Sequence, residues 1–166
     1  MQNVVEGIVE ILWDMLPSRK VIGGAPANFA YHVQELGESS LVVSCVGNDE
    51  LGREIISSLE NMEMSTEFLY VDNKHSTGAS SVKIDKEGKP SYLIKEGVAW
   101  DYIPTSTLLC ELASKSAAVS FGTVAQRSKL SRMTIQKFLG LMGQETIRFF
   151  DINLRQNFFQ KKLLKP

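Results

Sequence analysis

Three short apolar runs constrain the fold of this chain more than any other feature of its sequence. They occupy residues 41–46, 117–121 and 147–152, are rich in β-branched or aromatic residues, and show no strict alternation of apolar and polar positions. Strands that a parallel sheet buries on both faces have this composition. Each run follows a segment with helical character, so strands and helices alternate along the chain. The sequence therefore predicts a parallel α/β sheet with right-handed crossovers.

Three segments carry the helical pattern. In the first, Pro26 suits an initial helical position, apolar residues follow at helical spacing, and Gly37 ends the segment. Asp49 is expected to cap a second helix that runs to about Met62, and a third helix is predicted for residues 128–142. The side chains expected to face inward are Phe29, Ala30, Val33 and Leu36 in the first helix, Leu51, Ile55, Ile56 and Leu59 in the second, and Ile135, Phe138, Leu139 and Met142 in the third.

One stretch breaks the alternation of strands and helices. Residues 79–84 and 91–95 are both strand-like, and the short polar segment 85–88 joins them, which predicts a β-hairpin. A hairpin between two βα units does not fit easily into a parallel sheet, so we expect it to project as a lid over one end. Lids usually cover ligands, although a surface ribbon without function is the alternative.

The composition excludes several classes of protein. A chain of 166 residues is long enough for one domain with a sizeable core and too short for two ordinary ones. Its 43% hydrophobic and 22% charged residues are typical of a globular protein. The net charge is -1 and no basic stripe is interleaved with aromatic residues, so we expect no nucleic-acid partner. Lys161, Lys162 and Lys165 are interpreted as a solvated end.

The same sequence gives no sign of a membrane or secretory protein. No apolar run approaches the roughly 20 residues of a membrane helix, and Glu6 and Glu10 stand where a signal peptide would be basic and then apolar. We therefore expect a cytoplasmic protein without a membrane partner. Cys45 lies inside an apolar run far from Cys110, which favours a buried thiol over a disulfide, and the two histidines lack the partners of a metal site.

The most informative segment for function is a glycine pair that leads into the first predicted helix. Gly23 and Gly24 allow backbone to approach a ligand closely, and the helix start offers unpaired amides. Asn28 adds a hydrogen-bond donor and an acceptor, so the segment suits a polyhydroxylated ligand, although a simple turn and helix cap explains it equally well. It has neither the Lys and Ser or Thr of a P-loop nor the glycine spacing of a dinucleotide site.

Asp14 is the candidate ligand contact upstream of that segment. It follows the apolar residues 11–13, where open α/β sheets place groups that contact ligands. A carboxylate accepts hydrogen bonds from sugar hydroxyls at both oxygens, and charged hydrogen bonds contribute roughly 1.5 to 3 kcal/mol each. A solvated turn aspartate is the alternative interpretation.

Taken together, these motifs resemble a known family. The glycine pair and the positions that follow it have the spacing of the amino-terminal signature of the PfkB, or ribokinase-like, carbohydrate kinases, and the resemblance is to the fructokinase branch. It covers nearly the whole chain in order, which a single glycine motif would not. The signature positions are Gly23, Gly24, Asn28, Ala30, Gly37 and Gly47, and the other similar segments are 12–17, 23–31, 46–52, 97–101 and 151–155.

The resemblance implies a fold and an activity. The fold is a ribokinase-like doubly wound parallel α/β sheet, here truncated, with a small β lid. Residues 1–166 would form the amino-terminal part of one kinase domain, with lid segments near residues 18–23 and 79–100. The lid would pair two copies in a homodimer. The complete family enzyme phosphorylates a primary hydroxyl of a sugar, most simply fructose, from ATP with Mg²⁺.

The resemblance also implies roles for individual residues. Asp14, Gly23, Gly24 and Asn28 would bind the sugar, and Trp100 would support the base of the lid beside the substrate. Asn153 and Arg155 match a motif near the substrate and the transferred phosphate. No metal ligand and no catalytic residue is assigned within the chain.

Two departures from the family pattern lead to further expectations. The family has glycine before Glu10, where this chain has Val9, and we expect the added bulk to crowd the sugar site. The family's carboxy-terminal Gly-Ala-Gly-Asp run, which supplies the anion hole and the general base, occurs nowhere in the sequence, and the family's Asn-x-x-Glu step occurs only as Asn3 to Glu6. Because loss of a general base alone lowers a rate by roughly 10² to 10⁴, the fragment is expected to be inactive and to bind ATP and Mg²⁺ poorly.

Truncation would also leave one end of the sheet uncovered. A strand formed by residues 147–152 would present a free edge, and the residues expected to be poorly covered are Phe149, Phe150, Phe158 and Phe159. Two alternatives to a fructokinase-like fragment remain open. One is a kinase fragment for a 2-keto-3-deoxy sugar acid, with Arg155 pairing the carboxylate, and the other is a non-catalytic sugar-binding or dimerisation module.

Overall fold

The computed structural model describes residues 4–84, 86–87, 90–156 and 158. Its elements in chain order are β1 (Val4–Ile8), β2 (Leu12–Met15), β3 (Lys20–Gly23), α1 (Ala25–Glu35), β4 (Ser40–Gly47), α2 (Glu50–Asn61), β5 (Leu69–Asp72), β6 (Ala79–Ile84), β7 (Pro90–Ile94), α3 (Thr107–Lys115), β8 (Ser116–Gly122), α4 (Lys129–Leu141) and β9 (Ile147–Asp151). Short 3₁₀ turns cover Ala99–Tyr102 and Ala125–Arg127.

The main sheet has five parallel strands in the order β5-β4-β1-β8-β9. This arrangement confirms the predicted α/β class, and β4, β8 and β9 coincide with the three apolar runs. The central strand β1 pairs with β4 on one side and β8 on the other. Because the strand order runs outward from β1 on both sides of the sheet, the carboxyl end of β1 is where an open α/β sheet forms its ligand crevice.

A second sheet of four strands, in the order β3-β2-β6-β7, forms the lid. The predicted hairpin is confirmed, since β6 and β7 pair antiparallel, and residues 85 and 88 of its turn lie outside the described residues. The hairpin does not stand alone: β2 pairs parallel with β6 and antiparallel with β3. Residues 12–15 therefore belong to the lid and do not extend a strand of the main sheet.

The three predicted helices are present as α1, α2 and α4. Asp49 caps α2 by accepting a hydrogen bond from the Gly52 amide at 2.8 Å, as its position predicts. In α1 the inward face is formed by Pro26, Ala27 and Ala30, whereas Leu36 is 82% exposed. The expectation that Leu36 faces the core is wrong, because the helix ends at Glu35 and Leu36 serves only as its carboxy-terminal cap.

Strand β9 forms one edge of the main sheet, and its free side has no strand partner among the described residues. Phe149 is 56% exposed, as expected of an uncovered edge. Phe150 stacks on Phe121 with ring centroids 5.1 Å apart and is half-buried, and Phe158 packs partly against the core. The expectation of poor cover is therefore wrong for these two, and Phe159 lies outside the described residues together with the terminal lysines.

Cys45 is a free thiol buried in β4, and burial raises its pKa to about 12. Such a thiol is unreactive at neutral pH. None of the helices in the described part of the chain has the length and apolar character needed to cross a membrane.

Candidate functional site

A cavity of about 200 Å³ lies between the lid sheet and the carboxyl ends of β1, β8 and β9. It is small beside the roughly 300 to 1,000 Å³ of pockets for drug-sized ligands, so it suits a small molecule. Five of the predicted site residues meet there: Asp14, Gly24, Asn28, Asn153 and Arg155. The other residues that line it are Glu10, Leu12, Ala25, Ser80, Tyr92, Ile94 and Val124. Residues distant in sequence thus converge on one polar enclosure.

The lid contributes one face of its sheet to the cavity. Asp14 lies opposite Ser80, and Ser80 lies opposite Ile94, so these three side chains share a face. The opposite face carries Trp13, which packs against the core and donates a hydrogen bond from Nε1 to the Leu51 carbonyl at 3.0 Å. This contact anchors β2 and thereby fixes the position of Asp14.

Asp14 is a half-buried carboxyl whose environment acts in two directions. Burial raises the pKa of Asp14, while the nearby Ser80 hydroxyl and the positive charge of Arg155 oppose that rise. The Ser80 Oγ is itself buried and has no hydrogen bond of normal geometry among the described residues. The Asp14 carboxyl and the Ser80 hydroxyl both have unused hydrogen-bonding capacity, which a ligand with several hydroxyl groups can take up.

The glycine pair is placed beside Asp14 for two different reasons. At Gly23, an added Cβ would lie 2.4 Å from Asp14 Oδ2, so only glycine leaves the carboxylate in place. Gly24 has φ of 113° and precedes α1, and a Cβ there would lie 2.1 Å from the Glu10 carbonyl oxygen. Gly24 therefore lets the start of α1 approach the cavity, whereas Gly23 borders Asp14 without lining the cavity.

Asn153 and Arg155 follow β9 and are held by local hydrogen bonds. The Thr123 hydroxyl donates to the Asn153 carbonyl at 2.6 Å, and Arg155 Nε donates to Asn153 Oδ1 at 2.9 Å. The Arg155 guanidinium lies over the ring of Tyr92 on the lid, 4.7 Å from its centroid. Nearby, the Ile94 amide donates to Gln156 Oε1 at 2.7 Å. These contacts join the segment after β9 to the lid strand β7 across the cavity.

Comparison with known protein families decides the identity of the chain. Residues 18–163 match the family described as pfkB family carbohydrate kinase. The chain belongs to the pfkB family of carbohydrate kinases. The matched region contains the glycine pair, Asn28, Asn153 and Arg155, so the family resemblance seen in the sequence is confirmed.

Individual relatives in the pfkB family agree with this assignment. A putative sugar kinase of Pyrococcus horikoshii is 33% identical over 133 residues, which are 80% of this chain and 43% of the relative. A fructokinase of Salmonella typhimurium is 26% identical over 144 residues, which are 86% of this chain and 46% of the relative. The chain thus spans under half the length of these two relatives.

Solved structures show the same fold. The crystal structure of the Pyrococcus horikoshii sugar kinase superimposes with a TM-score of 0.83 at 28% identity, covering 98% of this chain and 57% of that one. A Vibrio cholerae fructokinase, in a form with fructose, ADP and potassium ion bound, gives a TM-score of 0.75 at 23% identity over 95% of this chain and 53% of that one. At that identity the second comparison supports the fold alone.

The structure does not bring Trp100 to the cavity of this pfkB chain. Trp100 is fully buried and packs under Arg127, whose guanidinium carbon lies 4.1 Å from the Trp100 ring centroid. Arg127 forms a buried ion pair with Asp101 at 2.9 Å and donates to the Lys95 carbonyl at 2.6 Å, just after β7. Trp100 thus lies at the base of the lid. No motif in the sequence predicts its contact with Arg127.

Glu10 lines the cavity but was not identified as a site residue from the sequence. It follows β1, is 3% exposed, and its Oε2 has no hydrogen-bond partner among the described residues. Burial raises the pKa of Glu10 to about 7, and the charges of Asp151 and Asp101 act in the same direction while Arg127 opposes them. No local sequence pattern reveals this environment, which depends on the position of Glu10 in the fold.

Val9 does not crowd the cavity, contrary to the expectation from the family pattern. Its side chain is 1% exposed within the hydrophobic core and does not line the cavity. The consequence of the missing glycine appears in the backbone instead. Val9 has φ of 138°, a conformation that glycine adopts readily and that is strained for a β-branched residue.

The described residues offer no place for a metal ion held by side chains, because no group of three or more His, Cys, Asp or Glu is suitably arranged among them. Asn3 of the Asn-x-x-Glu step lies outside the described residues, and its Glu6 is buried in β1 and accepts a hydrogen bond from the Ser116 hydroxyl at 2.8 Å. Glu6 is therefore a core residue here and is directed to Ser116 rather than to a ligand.

Proposed function

We propose that this chain is the sugar-binding part of a pfkB-family carbohydrate kinase, and that its cavity binds a monosaccharide, fructose in particular. The observation that carries the proposal is the convergence of Asp14, Gly24, Asn28, Asn153 and Arg155 on one cavity of about 200 Å³. The chain supplies these residues from the lid, the start of α1 and the segment after β9. The similarity to the fructokinase of Salmonella typhimurium, 26% identical over 144 residues, supports the choice of sugar.

Each group has a distinct part in binding. The Asp14 carboxylate accepts hydrogen bonds from sugar hydroxyls, and the exposed side chain of Asn28 both donates and accepts. Gly24 keeps the start of α1 close to the ligand, so that backbone amides without intrahelical partners face the sugar. Arg155 adds a fixed positive charge on the side where the phosphate is transferred. Together these groups orient the hydroxyl that receives the phosphoryl group.

ATP and Mg²⁺ belong to the complete enzyme in this proposal. The residues present do not fit them: the cavity has the size for a monosaccharide and not a nucleotide, and the described residues lack a metal-binding cluster. The general base and anion-stabilising amides are likewise expected on the Gly-Ala-Gly-Asp run that this sequence does not contain. The 166 residues alone are therefore proposed to bind sugar and to leave it unphosphorylated.

The experiment that tests this proposal extends the chain with the carboxy-terminal half of the Pyrococcus horikoshii relative. The extended protein is expected to phosphorylate fructose from MgATP, and the 166-residue chain is expected to show no turnover in the same assay. Turnover by the purified short chain, or a folded extended protein that binds no sugar, would contradict the proposal.

A second candidate substrate is a 2-keto-3-deoxy sugar acid. The observation that favours it is the position of Arg155 in the cavity, where its guanidinium is available to pair a ligand carboxylate in a bidentate manner. A substrate panel on the extended protein separates the two. Preference for the sugar acid that disappears in Arg155→Met favours this candidate, and preference for fructose in both proteins favours the first.

The remaining alternative is a non-catalytic sugar-binding or dimerisation module, which predicts sugar binding without turnover even after extension. Two copies would meet through the lid, whose sheet exposes Met15, Val21 and Leu93. Leu93 is 60% exposed, so Leu93→Glu is expected to lower the dimer population measured by sedimentation velocity. A parent chain that sediments only as a monomer would contradict this arrangement.

A further inference from the structure

Glu10 occupies a place in the cavity that the proposed sugar site does not use. It directly follows Val9 at the carboxyl end of the central strand β1, and it is nine-tenths or more buried while lining the cavity. A buried carboxyl of this kind requires hydrogen-bond partners or a neutral state, because an unpaired buried charge is very unfavourable. The groups around Glu10 therefore decide whether its carboxyl is charged and paired or neutral.

Among the described residues, no neighbouring charge forms an ion pair with Glu10. Arg127 is engaged with Asp101 through two hydrogen bonds of 2.9 Å, from Nε and from Nη2, and a further hydrogen bond from Nη2 reaches the Lys95 carbonyl. Asp151 lies close enough to disfavour a negative charge on Glu10. The pKa of Glu10 is thus raised to about 7, chiefly by burial, so the neutral acid predominates below that pH.

One oxygen of this neutral acid still lacks a partner. Glu10 Oε2 makes no hydrogen bond to any described residue, and such orphan groups call for an explanation in a ligand, an ion or an ordered water. The terminal torsion of a glutamate is broad and roughly two-fold, so either oxygen can turn toward the cavity. A protonated carboxyl offers one donor and one acceptor, which is the pattern that a sugar hydroxyl complements.

We propose that Glu10 is a further sugar-binding residue that acts in its protonated form, donating a hydrogen bond from its carboxyl group to a hydroxyl of the bound sugar. This inference rests on the proposed function of the cavity. Asp14 and Glu10 then divide the recognition between them, Asp14 accepting as a carboxylate and Glu10 donating as an acid. When Glu10 loses its proton, the donor is lost and a buried negative charge faces the ligand, so sugar affinity falls.

Calorimetric titration of the 166-residue chain with fructose between pH 6 and pH 8.5 tests the proposal. For a ligand that binds only the protonated form of a group with a pKa of about 7, affinity falls by up to about 30-fold over this range. In Glu10→Gln, whose neutral amide also donates, the affinity is expected to change by less than about twofold over the same range. The other titratable groups at the cavity, Asp14, Tyr92 and Arg155, remain present in both proteins.

Glu6→Gln is the matched control. Glu6 is also fully buried on β1 and has a pKa raised to about 8 by burial, but it does not line the cavity. Its replacement is expected to leave the pH dependence of fructose binding unchanged, and loss of that dependence in Glu6→Gln would overturn the proposal. Circular dichroism confirms that each variant is folded at each pH.

The outcomes separate this inference from the function on which it rests. Fructose binding by the parent chain with a flat pH profile overturns the role of Glu10 and leaves the sugar site intact, and this result needs no variant. Loss of binding at every pH in folded Glu10→Gln also overturns the role, since the neutral amide would then not replace the acid. Absence of binding by the folded parent chain at every pH overturns both proposals.

Discussion

Gly23 and Gly24 are adjacent in sequence, yet a methyl group added at each meets a different kind of neighbour. At Gly23 it meets the end of the flexible Asp14 side chain, which can turn aside. Gly23→Ala is therefore expected to lower fructose affinity about tenfold, the equivalent of one displaced charged hydrogen bond, with little change in the free energy of unfolding. Calorimetry measures the affinity and urea denaturation measures the stability.

Gly24→Ala serves as the comparison for that prediction. The added Cβ would meet the rigid Glu10 carbonyl, and a φ of 113° is strained for alanine. The free energy of unfolding is therefore expected to fall by at least the roughly 1 to 3 kcal/mol that backbone strain alone costs. Equal destabilisation by both substitutions, with sugar affinity unchanged in Gly23→Ala, would show that Gly23 does not keep the Asp14 carboxylate in place.

Val9 provides a second test at a single residue. Because φ of 138° favours glycine, Val9→Gly is expected to be more stable than Val9→Ala by about 1 to 3 kcal/mol, although glycine is ordinarily the less stable of the two in a strand. Both variants lose the two γ-methyl groups of Val9. Burial of the remaining Cβ favours alanine, so a more stable glycine variant reports backbone strain. Urea denaturation gives the two free energies, and a more stable Val9→Ala would rule out strain at this position.

The site residues differ in how far the sequence predicts them. Asp14 and Asn28 stand in motifs whose spacing is visible along the chain, and both lie at the cavity. Glu10 stands beside the position of the family glycine, but its unusual environment comes from Asp101, Arg127 and Asp151, which lie far away in sequence. The substitution at Val9 is visible in the sequence, but only the backbone dihedral shows that its effect falls on strain and not on the cavity.

The secondary structure elements that the sequence predicts are those with strong local signals. Strands β4, β8 and β9 and helices α1, α2 and α4 follow from apolar runs, periodicity and caps. The short elements β5 and α3 lack such signals and were not predicted. The place of β2 in the lid sheet was not predicted for a different reason. Its pairing with β6 joins residues more than 60 positions apart, and the local sequence does not specify strand partners at that distance.

Asp49 links two of these elements and gives a test at their scale. It caps α2 through Gly52 and also accepts hydrogen bonds from the Thr77 amide at 2.8 Å and the Thr77 hydroxyl at 2.6 Å, just before the lid strand β6. Asp49→Ala is expected to reduce stability by more than the roughly 1 kcal/mol of an ordinary cap, because it also leaves the Thr77 amide without its acceptor and removes one hydrogen bond of the Thr77 hydroxyl. Urea denaturation measures the loss.

Ser106→Ala is the comparison substitution. Ser106 caps α3 through the Leu109 amide at 3.0 Å, and the only other hydrogen bond of its side chain, among the described residues, is with the hydroxyl of the half-buried Tyr70 at 2.8 Å. Its expected loss is about 1 kcal/mol. If Asp49→Ala is no more destabilising than Ser106→Ala, the contacts to Thr77 do not stabilise the junction between α2 and the lid.

The stability of the whole molecule should depend on two buried acids of the central strand. Burial raises the pKa of Glu6 to about 8 and that of Glu10 to about 7, from about 4.5 in the unfolded chain. Between these values the folded chain binds more protons than the unfolded chain, so the free energy of unfolding falls as pH rises from about 4.5 to 8. Asp49 and Asp72, whose pKa values are lowered, act only at more acidic pH.

Glu6→Gln is expected to flatten this dependence and to be more stable than the parent chain at pH 8.5, with each unit of pKa equivalent to about 1.4 kcal/mol. Urea denaturation at several pH values measures the difference. Glu54→Gln removes an exposed carboxylate paired with Lys20 and should give a curve parallel to that of the parent. A parent chain that becomes more stable from pH 5 to pH 8 would contradict the assignment of buried neutral acids.

The most direct test of the sugar site is calorimetric titration of fructose into Asp14→Asn, with Glu54→Gln as a surface control outside the cavity. Because the substitution replaces a charged acceptor by a neutral amide that also donates, we predict that Asp14→Asn binds fructose at least tenfold more weakly than the parent chain, and that Glu54→Gln binds it equally well. Equal affinity of Asp14→Asn and the parent chain, with both proteins folded, would contradict the account of this cavity as the place where the sugar is held.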